Sequence, residues 1–115
     1  MCFFLKEYVN LMFFKDEWTQ IELYKNKKIL EEKGIKVVVI DTILKPLESI
    51  ETITYNPFEM AKYPEGSVFV FYCDTGKTTK ERLSYYKKKF PNYICISLKG
   101  GKAYFRPNYQ LLDEK

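Results

Sequence analysis

The chain has 115 residues and 13.8 kDa, enough for one domain, and its 46% hydrophobic content can fill a continuous core. Lys and Arg outnumber Asp and Glu by 19 to 15, and this net charge of +4 is spread without a long single-sign block. That pattern does not call for nucleic-acid binding, though a mild positive field favours small anions. Histidine is absent, which removes the usual general base and most zinc ligand sets, so no metal and no cofactor is expected.

The three cysteines, Cys2, Cys73 and Cys95, are odd in number and widely spaced. They do not read as a disulfide framework, and a reducing cytoplasm is the expected setting. The apolar start of the chain is interrupted by Lys6 and Glu7 and again by Lys15, Asp16 and Glu17. It is too short for a signal core or a membrane span, so residues 1–14 are expected to pack on the domain.

From about Phe14 to Lys33, Phe14, Trp18, Ile21 and Ile29 fall on one helical stripe, which predicts an amphipathic helix stopped by Gly34. Val37 to Ile40 is an unbroken β-branched run ending at Asp41, as expected of a strand covered on both faces. Ile50 to Tyr55 alternates more and is a weaker strand nearer an edge, bracketed by Pro46, Pro57 and Pro64. Val68 to Tyr72 and Ile94 to Leu98 repeat the buried-strand character. Between them, Thr79, Leu83, Tyr86 and Phe90 share one face of a helix over Thr79 to Phe90, with Lys87, Lys88 and Lys89 in its last turn. Strand, helix and strand in this order imply a right-handed crossover and an α/β/α layered domain with a mostly parallel sheet.

The chemically informative stretch runs from Val68 through Tyr72 into Cys73, Asp74, Thr75, Gly76, Lys77, Thr78 and Thr79. Ligand sites of parallel sheets gather at the carboxyl ends of strands, and Cys73 stands at such an end. The loop amides and the next helix N-terminus would converge there and favour a thiolate. A phosphate loop would need a further glycine where Phe71 stands, and a cysteine phosphatase would need an arginine where Thr79 stands. Cys95, between Ile94 and Ile96, reads as core packing, whereas Tyr55, Tyr63, Tyr104 and Tyr109 are expected at the surface.

The run Cys73-Asp74-Thr75-Gly76-Lys77-Thr78 resembles the active-site loop of the rhodanese family, of the form Cys-x-x-Gly-x-Thr. Leu98-Lys99-Gly100-Gly101 is similar to the family's Leu-x-Gly-Gly turn, with Phe105 where an aromatic is usual, and Val38 to Asp41 is similar to its strand ending in Asp. The resemblance implies one rhodanese-like domain over residues 1–115, of three α/β/α layers around a mostly parallel sheet of four to five strands. It implies a sulfurtransferase or persulfide carrier in which Cys73 takes sulfane sulfur from a small anionic donor and passes it to a thiol, a protein thiol included, or to cyanide. Asp74, Thr75, Gly76, Lys77, Thr78 and Thr79 would bind substrate, Lys77 being the loop's cation, while Asp41, Gly100 and Gly101 would support the loop. Asp74 stands where a basic residue is frequent in the family, and Thr42 follows Asp41 where the family has Arg. Two alternatives therefore stay open, a non-catalytic binding or regulatory module and a thiol redox sensor.

Overall fold

A computed structural model describes residues 15–106. The expectations for residues 1–14, for Cys2 and for Tyr109 lie outside that range. The first described element is a two-residue strand, β1 (Glu17–Trp18), followed by helix α1 (Gln20–Glu32). The helix therefore starts later than the apolar stripe suggests, because Thr19 caps it. The Thr19 hydroxyl accepts the Glu22 N–H at 3.2 Å, and the Glu22 carboxylate accepts the Thr19 N–H at 2.9 Å. This reciprocal box satisfies two amides that have no partner inside the helix. Trp18, expected on the helix, is instead a fully buried strand residue. The stripe shifts with it: Leu23, Tyr24 and Leu30 are buried, whereas Ile21 and Ile29 are 49% and 39% exposed.

The remaining elements are β2 (Val37–Asp41), β3 (Ile53–Thr54), α2 (Pro57–Met60), β4 (Val68–Tyr72), α3 (Lys77–Glu81), α4 (Leu83–Lys89) and β5 (Ile94–Leu98). The five strands form one sheet in the order β1-β5-β4-β2-β3, and every pairing is parallel. The weaker strand expected over Ile50 to Tyr55 is shortened to the two residues of β3, which lies at the edge as its alternation suggested. The helix expected over Thr79 to Phe90 is broken in two at Arg82, whose φ of −93° and ψ of 4° leave the helical range. Its expected buried face nevertheless holds, for Thr79, Leu83, Tyr86 and Phe90 are all buried.

Strand alternation divides the core into two layers. Val37, Val39, Val68, Val70, Tyr72, Ile96 and Leu98 pack under α1 together with Trp18, Leu23 and Phe105. Val38, Ile40, Phe69, Phe71 and Cys95 face the other way, against Met60, Leu83, Tyr86 and Phe90. The second layer is built from rings. Phe71 stacks on Tyr86 with centroids 4.1 Å apart and planes 2° from parallel, and Phe69 stacks on Tyr93 at 4.5 Å. Such pairs add about 0.5–1.5 kcal/mol beyond the area they bury, so Phe71–Tyr86 fixes α4, and Phe69–Tyr93 the turn after it, against the strand that leads to Cys73. Tyr55 and Tyr63, expected at the surface, are half-buried members of this layer, and of the described tyrosines expected there Tyr104 alone is exposed, at 69%. No described helix is long and apolar enough to cross a membrane.

Candidate functional site

Strand β4 delivers its chain to the carboxyl edge of the sheet at Tyr72, and Cys73 is the next residue. The neighbouring strand end is tied to it. Asp41 stands opposite Tyr72 in the register, and the Thr42 hydroxyl and N–H both donate to the Tyr72 carbonyl, at 2.7 and 3.3 Å. Asp41 is buried at 2% exposure and accepts the Ile43 N–H at 2.8 Å, which turns the chain away from the sheet. The Tyr72 hydroxyl donates to the Lys45 carbonyl at 2.7 Å. Burial and the adjacent Asp41 charge push that phenol's pKa well up, so it stays a donor. Asp41 thus holds the loop after β2 and does not reach the sulfur through any hydrogen bond described.

The Cys73 side chain is 5% exposed and recessed under its own loop. The Gly76 N–H points at Sγ from 3.2 Å, and the Thr79 hydroxyl lies 3.7 Å from it. Burial pushes the thiol's pKa up, but the hydrogen bonds of the Thr79 N–H and hydroxyl and of the Gly76 and Thr75 amides outweigh it, and the net shift is downward. The amides act individually here, since α3 is only five residues long and has little dipole to offer. Gly76 makes the turn possible. Its φ is +89°, and a Cβ there would come within 2.8 Å of the Gly100 amide nitrogen.

Gly100 and Gly101 form the other wall of the cup. A Cβ on Gly101 would fall 2.3 Å from the Cys73 carbonyl oxygen, so no larger residue lets the two loops approach this closely. The contact carries two backbone bonds, from Lys102 N–H to the Cys73 carbonyl at 2.8 Å and from Ala103 N–H to the Asp74 carbonyl at 2.7 Å. With its carbonyls held from this side, the loop leaves its amides free to turn toward the sulfur. The Gly-Gly turn is therefore structural support for the cysteine loop.

Of the residues expected to bind substrate, the structure brings Gly76, Thr79 and the backbone amide of Thr75 to the sulfur. The side chains of Asp74, Thr75, Lys77 and Thr78 are exposed on the rim, and Thr75 only accepts the Lys77 N–H at 3.5 Å. Two further side chains belong to the site and were not evident from sequence. Ser97, fully buried on β5, has its hydroxyl 2.8 Å from that of Thr79. Tyr86 is the other: burial raises its phenol pKa, Arg82 lowers it, and the Cys73 charge raises it, so all three groups share one neighbourhood. The Arg82 guanidinium lies over the Tyr85 and Tyr86 rings, 5.2 and 5.8 Å from their centroids. Ser97 is the one polar residue in a strand otherwise made of Ile94, Cys95, Ile96 and Leu98, which is the signal that could have exposed it. Cys95 is buried as expected, and burial pushes its thiol up to about 12. A separate cleft of about 420 Å³ opens beside β3, between Ile53, Tyr55, Glu59 and Tyr63, and includes no residue of the cysteine loop.

No protein-family model matches the sequence, and no curated protein matches it. Among solved structures, the chain is similar to a rhodanese homologue from the extremely thermophilic bacterium Thermus thermophilus, with a TM-score of 0.47 and 18% identity over 76% of this chain and 96% of the other. It is also similar to the BH2092 protein of Bacillus halodurans, with a TM-score of 0.49 and 16% identity over 87% of this chain and 76% of the other.

Proposed function

We propose that this chain is a rhodanese-like sulfur carrier in which Cys73 holds a persulfide. The observation that carries the reading is the Gly76 N–H aimed at Sγ from 3.2 Å in a cup that shifts the thiol toward its anion. A thiolate attacks the sulfane sulfur of a donor; one S–S bond forms, and the donor's bond to that sulfur breaks with its electron pair on the leaving group. For thiosulfate the leaving group is sulfite. The outer sulfur of the Cys73 persulfide is then attacked by an acceptor thiolate or cyanide, and the Cys73 thiolate departs. Amides that stabilise the thiolate also stabilise the persulfide anion, which carries the same charge one bond further out.

The test is turnover with thiosulfate or an organic persulfide as donor and cyanide as acceptor, followed as thiocyanate. The expected result is formation by the wild type and none above background by Cys73→Ser. Equal formation by both proteins would refute the reading.

A second reading, a non-catalytic binding module on the same scaffold, is favoured by one observation: Cys73 is 5% exposed, and the residue beside it at the rim is the acidic Asp74. It requires that no donor transfers sulfur to the folded protein.

A further inference from the structure

The Thr79 hydroxyl has three partners and one proton. It lies 3.4 Å from the Gly76 carbonyl, 3.7 Å from the Cys73 sulfur and 2.8 Å from the Ser97 hydroxyl. The carbonyl can only accept, a thiolate can only accept, and the Ser97 hydroxyl can do either. Ser97 is fully buried, and among the described residues its hydroxyl bonds to Thr79 alone. If Thr79 donated to Ser97, the Ser97 proton would be left in a closed apolar layer without an acceptor. Leaving a buried donor unmade costs more than one hydrogen bond is worth. The arrangement that strands no proton runs from Ser97 to Thr79, and from Thr79 to either the Gly76 carbonyl or the sulfur.

From this count we infer that Ser97 is a positioning residue: by occupying a lone pair of Thr79 Oγ1, it commits the Thr79 proton to the Cys73 side of the site. The hydroxyl then has two settings. With a neutral thiol it rests on the Gly76 carbonyl, and with a thiolate it turns to the sulfur. The same turn would serve a persulfide, so this inference deepens the sulfur-carrier reading, although the proton relay is defined without it. It also accounts for a polar side chain inside β5, on the strand face where Cys95 is packed among rings. Among the described residues Ser97 has no bond to Cys73, so its effect passes through Thr79.

The test is a double-mutant cycle read by NMR, following the Cβ carbon of Cys73 against pH. Thr79→Val is expected to raise the titration midpoint by roughly 0.4–1 pH unit for the lost hydrogen bond, and Ser97→Ala, which leaves the Thr79 proton in place but removes the donor that orients and polarises its hydroxyl, to raise it by a smaller fraction of that. Ser97→Ala in the Thr79→Val background is expected to add nothing, and Ser97→Thr, which keeps the hydroxyl, is expected to restore the wild-type midpoint. An equal rise from Ser97→Ala in both backgrounds, or no rise in a folded Ser97→Ala protein, would overturn the assignment. If Ser97→Ala loses native amide dispersion, the isosteric and poorer donor Ser97→Cys takes its place in the cycle. Sulfur uptake, measured on the same wild-type sample, separates the two claims. A cycle that closes without uptake upholds Ser97 and refutes the carrier, whereas uptake with an unmoved midpoint does the reverse.

Discussion

Gly101 lies so close to Cys73 that a Cβ added to it would sit 2.3 Å from the Cys73 carbonyl oxygen. The backbone of the Gly-Gly turn, and no side chain, is what fixes the cysteine loop from outside. Gly101→Ala must push the loops apart and also strain a φ of +56°, at about 1–3 kcal/mol. Tm is expected to fall by roughly 5–10 °C, and the displaced Gly76 amide should raise the Cys73 titration midpoint. A calorimetric scan and a thiol titration check both, and an unchanged midpoint would detach the turn from the chemistry.

The two described thiols should behave oppositely toward alkylation. Cys73 is shifted toward its anion, whereas Cys95 is pushed up to about 12 by burial. In the native protein near neutral pH, peptide mapping after iodoacetamide is expected to find the label on Cys73 before Cys95, with Cys95 labelled only on unfolding.

The same shifts set signs for stability against pH. Cys73 has a folded pKa below its unfolded value, so its contribution is present above the unfolded pKa and is lost as pH falls through the folded one. Cys95 has a folded pKa above its unfolded value, so its contribution is full below the unfolded pKa and is lost as pH rises toward about 12. Replacing Cys95 with Val should therefore flatten the alkaline fall in denaturation midpoint, and a curve as steep as the wild type's above about pH 9 would contradict the burial of that thiol.

Asp74 is an exposed carboxylate on the residue next to the sulfur. Asp74→Lys exchanges a charge that repels a dianionic donor for one that attracts it. With thiosulfate, kcat/KM is expected to rise several-fold at low ionic strength and the gain to shrink with added salt. An organic persulfide, which carries at most one negative charge, should respond less. Stopped assays at two salt concentrations distinguish the cases.

The long apolar runs of β2, β4 and β5 were legible in the sequence because a strand covered on both faces needs nothing polar between its ends. The cysteine loop was legible through its Cys-x-x-Gly-x-Thr run at a strand end and the Leu-x-Gly-Gly turn, whose Gly76 and Gly101 the structure places where only a bare backbone fits. Helix α1 was misplaced at its start because Trp18 suits a helical stripe as well as a strand, and the deciding signal was the Thr19–Glu22 box rather than periodicity. The break at Arg82 left no trace, since Thr79, Leu83, Tyr86 and Phe90 keep helical spacing across it. Ser97 stood out in the sequence only as the one polar residue of β5, and its role could not be read because its partner is 18 residues away on another element, in a contact that exists only once the crossover has folded.

The most direct measurement is the mass of the Cys73-containing peptide after the native protein has met a persulfide donor and excess donor has been removed. The account predicts a gain of one sulfur atom on that peptide, released by cyanide and absent from Cys73→Ser. A wild-type peptide that stays at its reduced mass with both thiosulfate and an organic persulfide would contradict it.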